Sequence, residues 1–453
     1  MRSKTAQQPY LPLSDKSSLK IVREYRERYR AVDELLGRNP DLLDRVHRRL
    51  SRFLSTSRKG RRSAYTSEQI LRALVVMFLE GDSYRDVVIR IDESPFLREF
   101  VGLGWQPMMD FTFLSRAFGV LDETLWQELN TTLAVDALFE EKISGEQLRV
   151  DTTVVETAIH YPTESTLLWD GWRVLARLLR QARREEPGRF PFRLHDEKVK
   201  RLAQAISRGA RSRKQSAQRK LRRLYRTLLD RVGRIVERAE SVAAQLEPVF
   251  SVREDLLHFA ALTRRVIEQT EVRVFENRHL PASEKVYSLF EPHTELIKRG
   301  KAGKPVEFGH TVLLGQTKEK FISQYRVMPQ QIDETNLVDD LLAEHEVLFQ
   351  GLPSVLTADK GFYESMDKIE ALQDDIPVVS IAKKGKRNAA QAGREADEAF
   401  KAAQRFRAGI EGSISVLKRA FKLIRCLFKG YRNYASAVGC AIFCHNLIVL
   451  TRL

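Results

Sequence analysis

The chain has 453 residues, 43% of them apolar, which gives room for about three domains with real cores and excludes a disordered or fibrous protein. Its net charge of +16 and pI near 9.7 point to a polyanionic partner, with a merely soluble basic protein as the plain alternative. No run reaches the roughly 18 apolar residues of a membrane span, and Met1-Arg-Ser-Lys-Thr leads into polar residues, so neither a span nor a secretion signal is expected.

Residues 19–54 read as helix, with Leu19, Val22 and Tyr29 on one spacing and Leu35, Leu42, Leu43 and Leu50 around a break at Asn39-Pro40. A basic run from Arg45 through Arg58, Lys59, Arg61 and Arg62 follows, either a solvated face or a phosphate contact. Thr66-Ser-Glu-Gln69 has the spacing of a capping box, and Ile70, Leu74, Met77 and Phe78 recur at helical period behind it. Gly81-Asp82 predicts a turn and Ser83 caps a second helix with Val87, Val88 and Ile91 inward. That is the outline of a helix-turn-helix, though any small helical domain contains it. Further helices are expected after Thr112 and over 123–138, so residues 1–145 read as an all-helical domain.

The first strand is Gln147-Leu-Arg-Val-Asp-Thr-Thr-Val-Val155, and Asp151 interrupts its β-branched run, which costs stability unless a cation or hydrogen bond meets it. From 158 to 283 the period is helical throughout. Leu221, Leu224, Leu228, Val232, Ile235, Ala239, Val242 and Leu246 step by three or four, an a/d seam, and after Pro248 a returning face runs from Leu256 to Ile267. A helical hairpin is thus inserted into a sheet domain. Ahead of the seam, Arg211, Arg213, Lys214, Lys220, Arg222 and Arg223 stand among small polar residues; such an arm is either solvated and mobile or laid against phosphates.

Strand signals return at Val286-Tyr-Ser-Leu-Phe290, then, after a Gly/Pro loop, in a hairpin of 309–315 with 321–328. A helix over 336–349 leads to Ser354-Val-Leu-Thr-Ala-Asp359-Lys-Gly, a short strand that ends in an acid. Side chains at the carboxyl ends of such strands point into the crevice above a sheet, so Asp359 is either a site residue or a turn acid. A helix at 364–373, a strand at 376–382 and a Lys/Arg/Ala-rich connection follow. Glu411 then opens an amphipathic helix: at about 100° per residue, Glu411, Ser415, Lys418, Lys422 and Arg425 make one stripe, and Ile414, Leu417, Phe421, Ile424 and Phe428 make another. Lys418 lies ~10 Å along the axis from Glu411, a reach suited to a phosphate; an ordinary surface charge is the alternative reading for it and for Arg407. Cys426, Cys440 and Cys444 are too few for a disulfide framework and, without a second ligand pair near His445, read as buried helix cysteines. An apolar helix from 435 to 450 closes the chain.

With the insertion removed, acids fall on the first strand, the fourth strand and a later helix, the order of an RNase H-like fold. Two divalent metals about 3.5–4 Å apart need carboxylates from several directions, and an oxygen-rich site suits Mg²⁺ or Mn²⁺ rather than zinc. On these residues the chain resembles the bacterial insertion-sequence transposases of the DDE class. Ser94-Pro-Phe-Leu-Arg-Glu-Phe-Val-Gly-Leu-Gly104 and the segment from Asp110 to Arg116 are similar to their N-terminal domains. Asp151-Thr-Thr153, Glu307-Phe-Gly-His310, Ala358-Asp-Lys-Gly-Phe362 and the set Arg407, Glu411 and Lys418 fall where that family places its motifs. The last set resembles the signature Tyr, two residues, Arg, three residues, Glu, six residues, Lys. Gln404 stands at the Tyr position, which departs from the pattern, as does a helical insertion placed between the first two acids.

The resemblance implies an α/β architecture: an all-helical DNA-binding domain at 1–145, an RNase H-like mixed-sheet catalytic domain at 146–157 and 284–453, and a helical insertion with the basic arm at 158–283. It implies that Asp151, Asp359 and Glu411 are the catalytic, metal-binding acids, with Asp151 between the metals, and that Arg407, Lys418 and Lys422 contact DNA, joined by the arm cations. Glu156 and Glu364 are expected to be structural. The expected activity is cleavage at element ends and transfer of 3′-ends to target DNA, by a homodimer on double-stranded DNA in the cytoplasm near the nucleoid. A domesticated, non-catalytic DNA-binding protein and another RNase H-like nuclease are the competing readings.

Overall fold

Capping residues fix where the first helices begin and end. In the computed structural model, which describes residues 3–5, 19–53, 63–212, 214–301 and 304–453, α1 (Lys20–Arg38) and α2 (Pro40–Phe53) part at Asn39, whose side-chain amide donates to Leu35 O and to Asp136. Pro40 opens α2, where its missing N–H costs nothing. α3 (Ser67–Glu80) starts from the expected Thr66/Gln69 capping box and stops at Gly81, whose φ of +66° suits glycine. Ser83, Ser94, Asp110 and Asp122 cap α4 (Tyr84–Glu93), α5 (Pro95–Val101), α6 (Phe111–Val120) and α7 (Glu123–Phe139). The basic residues Arg58, Lys59, Arg61 and Arg62, and Arg213 of the arm, lie outside the described residues.

β1 (Gln147–Thr157) follows, and the chain then divides into two compact units, Met1–Glu156 with His310–Leu453, and Thr157–Gly309. The second unit is built from α8 (Glu164–Glu185), α9 (Asp196–Gly209), α10 (Gln215–Gln245) and α11 (Ser251–Val274). As the seam predicts, Leu228, Val232, Ile235, Ala239 and Val242 of α10 are buried with Leu256, Ala260 and Val266 of α11 and with Leu168, Leu175 and Leu179 of α8. The expected strand at 286–290 is instead an irregular buried segment. Gln269 of α11 accepts from Val286 N–H and donates to Val286 O, replacing the hydrogen bonds a neighbouring strand would give. The strand of this region is β2 (Glu295–Lys301), which pairs antiparallel with the first half of β3 (Lys304–Thr317).

In the first unit, β3 continues beside β4 (Ile322–Val327) through a tight turn that puts Lys320 at φ +70°. The 3₁₀ turn Glu334–Leu337 leads into α12 (Val338–Phe349), and then come β5 (Val355–Ala358), α13 (Met366–Asp375) and β6 (Val378–Ile381). β1 lies between β3 and β5, and β5, parallel to it, carries β6 on its other side. Alternation along β1 then sorts its residues. Leu148 and Val150 join Leu356, Ala358, Leu341, Leu342 and Ile369 in one core, while Val155 joins the N-terminal helices in another.

The Lys/Arg/Ala-rich connection is ordered as α14 (Ala389–Ala396) and α15 (Glu398–Ala408), each opened by a side-chain cap, Asn388 and Asp397. α16 (Ile410–Arg419) is shorter than its sequence stripes imply. Lys422 takes a left-handed φ of +58°, Leu423 N–H returns to Leu417 O, and Arg425–Cys426 leaves as β7 to pair with β1. Lys422 and Arg425 therefore do not continue the Glu411 stripe. α17 (Tyr431–Leu450) is long and apolar enough to cross a membrane, against expectation, but 83% of its most apolar window is buried in the protein, including Cys440 and Cys444. Asn446 explains a polar residue there: its side chain accepts from Ile322 N–H at 3.0 Å, donates to Ile322 O at 2.9 Å, and meets Asn130 of α7.

Candidate active site

The parallel register of β1 and β5 builds the site. Val150 pairs with Ala358, so Asp151 and Asp359, one residue further along each strand, stand side by side at the carboxyl end of the sheet. Asp359 caps the 3₁₀ turn Lys360–Phe362 by accepting from Lys360 N–H at 2.7 Å, as the turn-acid reading expects. Asp151 accepts from Thr152 N–H at 2.8 Å, and its other oxygen takes Arg407 Nη1 at 3.1 Å. Arg407 Nη2 lies 3.8 Å from Glu411 Oε1, so one guanidinium links the first and third acids.

Burial pushes the Asp151 carboxyl up to about 6; neighbouring Asp359 and Glu334 add to the rise, against the Thr152 N–H and Arg407. Glu411, by contrast, is 69% exposed at its side chain, and Lys418 is half-buried further along α16. Glu156, on the opposite alternation to Asp151, is buried and paired with Arg425 at 3.4 Å, as a structural acid should be.

Two residues outside the sequence expectations hold this arrangement. Arg149, 4% exposed on the face of β1 that Asp151 shares, has no carboxylate partner among the described residues, and burial depresses its guanidinium to about 10. It donates to Gln316 Oε1 and to Phe406 O, each at 2.9 Å, and lies over the Phe406 ring. Gly409 leaves the room it needs, because a Cβ there would clash with Arg149 Nη1. Gln316 in turn donates to Ser413 of α16 at 2.8 Å. The helix bearing Glu411 is thereby pinned to β1 and β3. The second residue is Glu334, whose Oε1 accepts from Thr152 Oγ1 at 2.5 Å. Arg149 leaves a sequence signal, a cation inside a β-branched strand; Glu334, in a polar turn, leaves none.

Of the other expected contacts, Gln404 donates to Ser380 O at 2.7 Å and so secures α15 to β6. Lys422 is exposed and packs over Gly81, where an added Cβ would lie 2.8 Å from Lys422 Cε. In the second unit, Arg211 and Lys214 flank the start of α10 and Lys220, Arg222 and Arg223 lie on its first turns; all are exposed, and none is ion-paired among the described residues.

The carboxylates of Asp151 and Asp359 offer oxygen donors side by side, which suit a hard cation such as Mg²⁺ or Mn²⁺. Among the described residues, no three His, Cys, Asp or Glu side chains form a closed ligand set. Arg407 stands between Asp151 and Glu411 instead.

Residues 19–119, the segment of α1 to α6, match the family model described as Transposase domain (DUF772), which supports a transposase and DNA as its partner. No curated protein and no solved structure matches the chain.

Proposed function

We propose that the chain is a DNA transposase of the DDE class with an RNase H-like catalytic domain, using Asp151, Asp359 and Glu411 to bind Mg²⁺ or Mn²⁺. The observation that carries this reading is the register that sets Asp151 beside Asp359, with Glu411 reached through Arg407. The transposase-domain match in the N-terminal helices supports it from a separate stretch of chain. When bound, the cation supplies activation of the attacking water or 3′-hydroxyl and charge stabilisation at the leaving oxygen.

The chain's own groups prepare that step. Asp151 and Asp359 offer oxygens fixed by their own following N–H groups. Arg407 holds Asp151 until DNA arrives, then turns to a phosphate, freeing Asp151 and Glu411 to act together. Lys418 and Lys422 contact flanking phosphates, and the cations at the start of α10 also grip DNA. The helical N-terminal domain recognises the terminal inverted repeats, and two copies hold two ends, so the protein works as a homodimer on DNA.

The test is plasmid nicking and strand transfer with Mn²⁺. Wild type should nick and join, and Asp359→Ala and Glu411→Gln should do neither; joining retained by Asp359→Ala overturns the proposal. The outward Glu411 and its pairing with Arg407 favour a second reading, a DNA-binding protein without catalysis, which predicts tight DNA binding and no nicking by wild type. Nicking without joined products would instead indicate another RNase H-like nuclease.

A further inference from the structure

Glu334 stands where two acid-bearing segments meet. It opens the 3₁₀ turn before α12, a turn fixed by Asp333, whose side chain accepts from Thr335 N–H and whose carbonyl accepts from Asn336 N–H. One carboxylate oxygen receives the Thr152 hydroxyl, next to Asp151. The other occupies the space beside Gly361, two residues after Asp359: a Cβ on Gly361 would clash with Glu334 Oε2. No positive φ requires glycine there, so a larger residue would have to displace the Glu334 carboxylate.

We propose that Glu334 is a positioning residue for Asp151 and Asp359, joining the Thr152 and Gly361 segments so that the two acids keep the separation a shared cation needs. The inference rests on the reading of Asp151 and Asp359 as a cation site.

A clamp serving the fold alone would work as well with glutamine, which also accepts from Thr152 and adds no charge. A carboxylate bonded to Thr152, next to Asp151, and seated beside Gly361, two residues after Asp359, adds negative charge where a cation would be held. The two roles therefore give different outcomes. For a clamp, Glu334→Gln leaves metal affinity alone. For a positioning acid, it leaves the metal-free protein as stable or more stable and weakens the cation.

The experiment titrates Mn²⁺ into the full chain, counting free ion by electron paramagnetic resonance, and melts each metal-free variant. Asp359→Ala serves as the control and should lose the site. Glu334→Gln should weaken Mn²⁺ by roughly 10- to 100-fold, the usual cost of removing a group that orients metal ligands, with no loss in melting temperature. Gly361→Ala should weaken Mn²⁺ and lower the melting temperature. Added to Glu334→Ala, it should cost nothing further, because the clash is gone. If Glu334→Gln binds Mn²⁺ like wild type while Asp359→Ala does not, the role of Glu334 is overturned and the acid site stands. If Asp359→Ala changes nothing, both fall together.

Discussion

The acids on β1 and just past β5 and the cations at the start of α10 hold charge in opposite ways. Asp151 is 16% exposed at its side chain, bonded to Thr152 and Arg407, and its neighbours shift its ionisation. Arg211, Lys214, Lys220, Arg222 and Arg223 are exposed, with no ion pair among the described residues. Charge that must meet a reacting atom needs neighbours that fix it to a fraction of an ångström, and those neighbours make it expensive to disturb. Charge that grips a phosphate backbone works through its number and field, and can be changed with little effect on the fold. The contrast teaches where substitutions should be felt.

The largest effect is expected at Arg149. Arg149→Ala leaves Phe406 O and Gln316 Oε1 without their donor and opens a hole beside Phe406, so it should destabilise the protein by about 3 kcal/mol in urea unfolding. Arg149→Lys should recover little, since an ammonium cannot span both acceptors as the planar fork does. Unfolding of Arg149→Ala at the wild-type midpoint would remove Arg149 from the supports of the site.

His345 tests the same region through pH. It is fully buried, its Nε2 donates to Gly145 O just before β1, and burial depresses its pKa to about 4 from the ordinary 6.5. On acidification the unfolded chain therefore takes up the proton first, and stability should fall from about pH 6.5 towards pH 4. The shift corresponds to at most about 3 kcal/mol at the acid end. His345→Gln, which still can donate to Gly145, should lessen that fall; His445, also depressed to about 4 by burial, contributes the same way, and Asp151, raised to about 6, opposes both. An unchanged acid limb would count against a buried neutral imidazole.

Lys422 joins features of both regions, an exposed cation on a left-handed backbone. Lys422→Gly should raise stability by about 0.5–1 kcal/mol by relieving that backbone while weakening DNA binding. A gain in stability with unchanged DNA affinity would assign it to the turn alone. The smallest effect on stability is expected in the arm. Neutralising Arg211, Arg213, Lys214, Lys220, Arg222 and Arg223 should leave the melting temperature in place. It should also flatten the salt dependence of DNA binding, by about 0.9 in log–log slope for each phosphate that is no longer neutralised. An unchanged slope would return these residues to solvent.

Much of this was legible in the chain itself. Thr66 with Gln69, Gly81 and Ser83 mark helix ends because a cap acts within four residues, and the β-branched residues around Asp151 and before Asp359 mark strands for the same local reason. The a/d seam of α10 foretold its buried face. The sequence could not show that 286–290 would be taken up by Gln269, that the helix after Glu411 would end at Arg419, or that the Lys/Arg/Ala-rich connection would order as α14 and α15.

Charge, helix ends and strand cores were thus determined by the sequence, since each depends on residues a few positions apart. The tertiary structure alone decided that Asp151 would lie beside Asp359, that Arg149 would tie through Gln316 to the helix of Glu411, and that Glu334 would touch both Thr152 and the space beside Gly361. Those pairs come together only through sheet register and packing, interactions that leave no pattern in the neighbouring sequence of either partner.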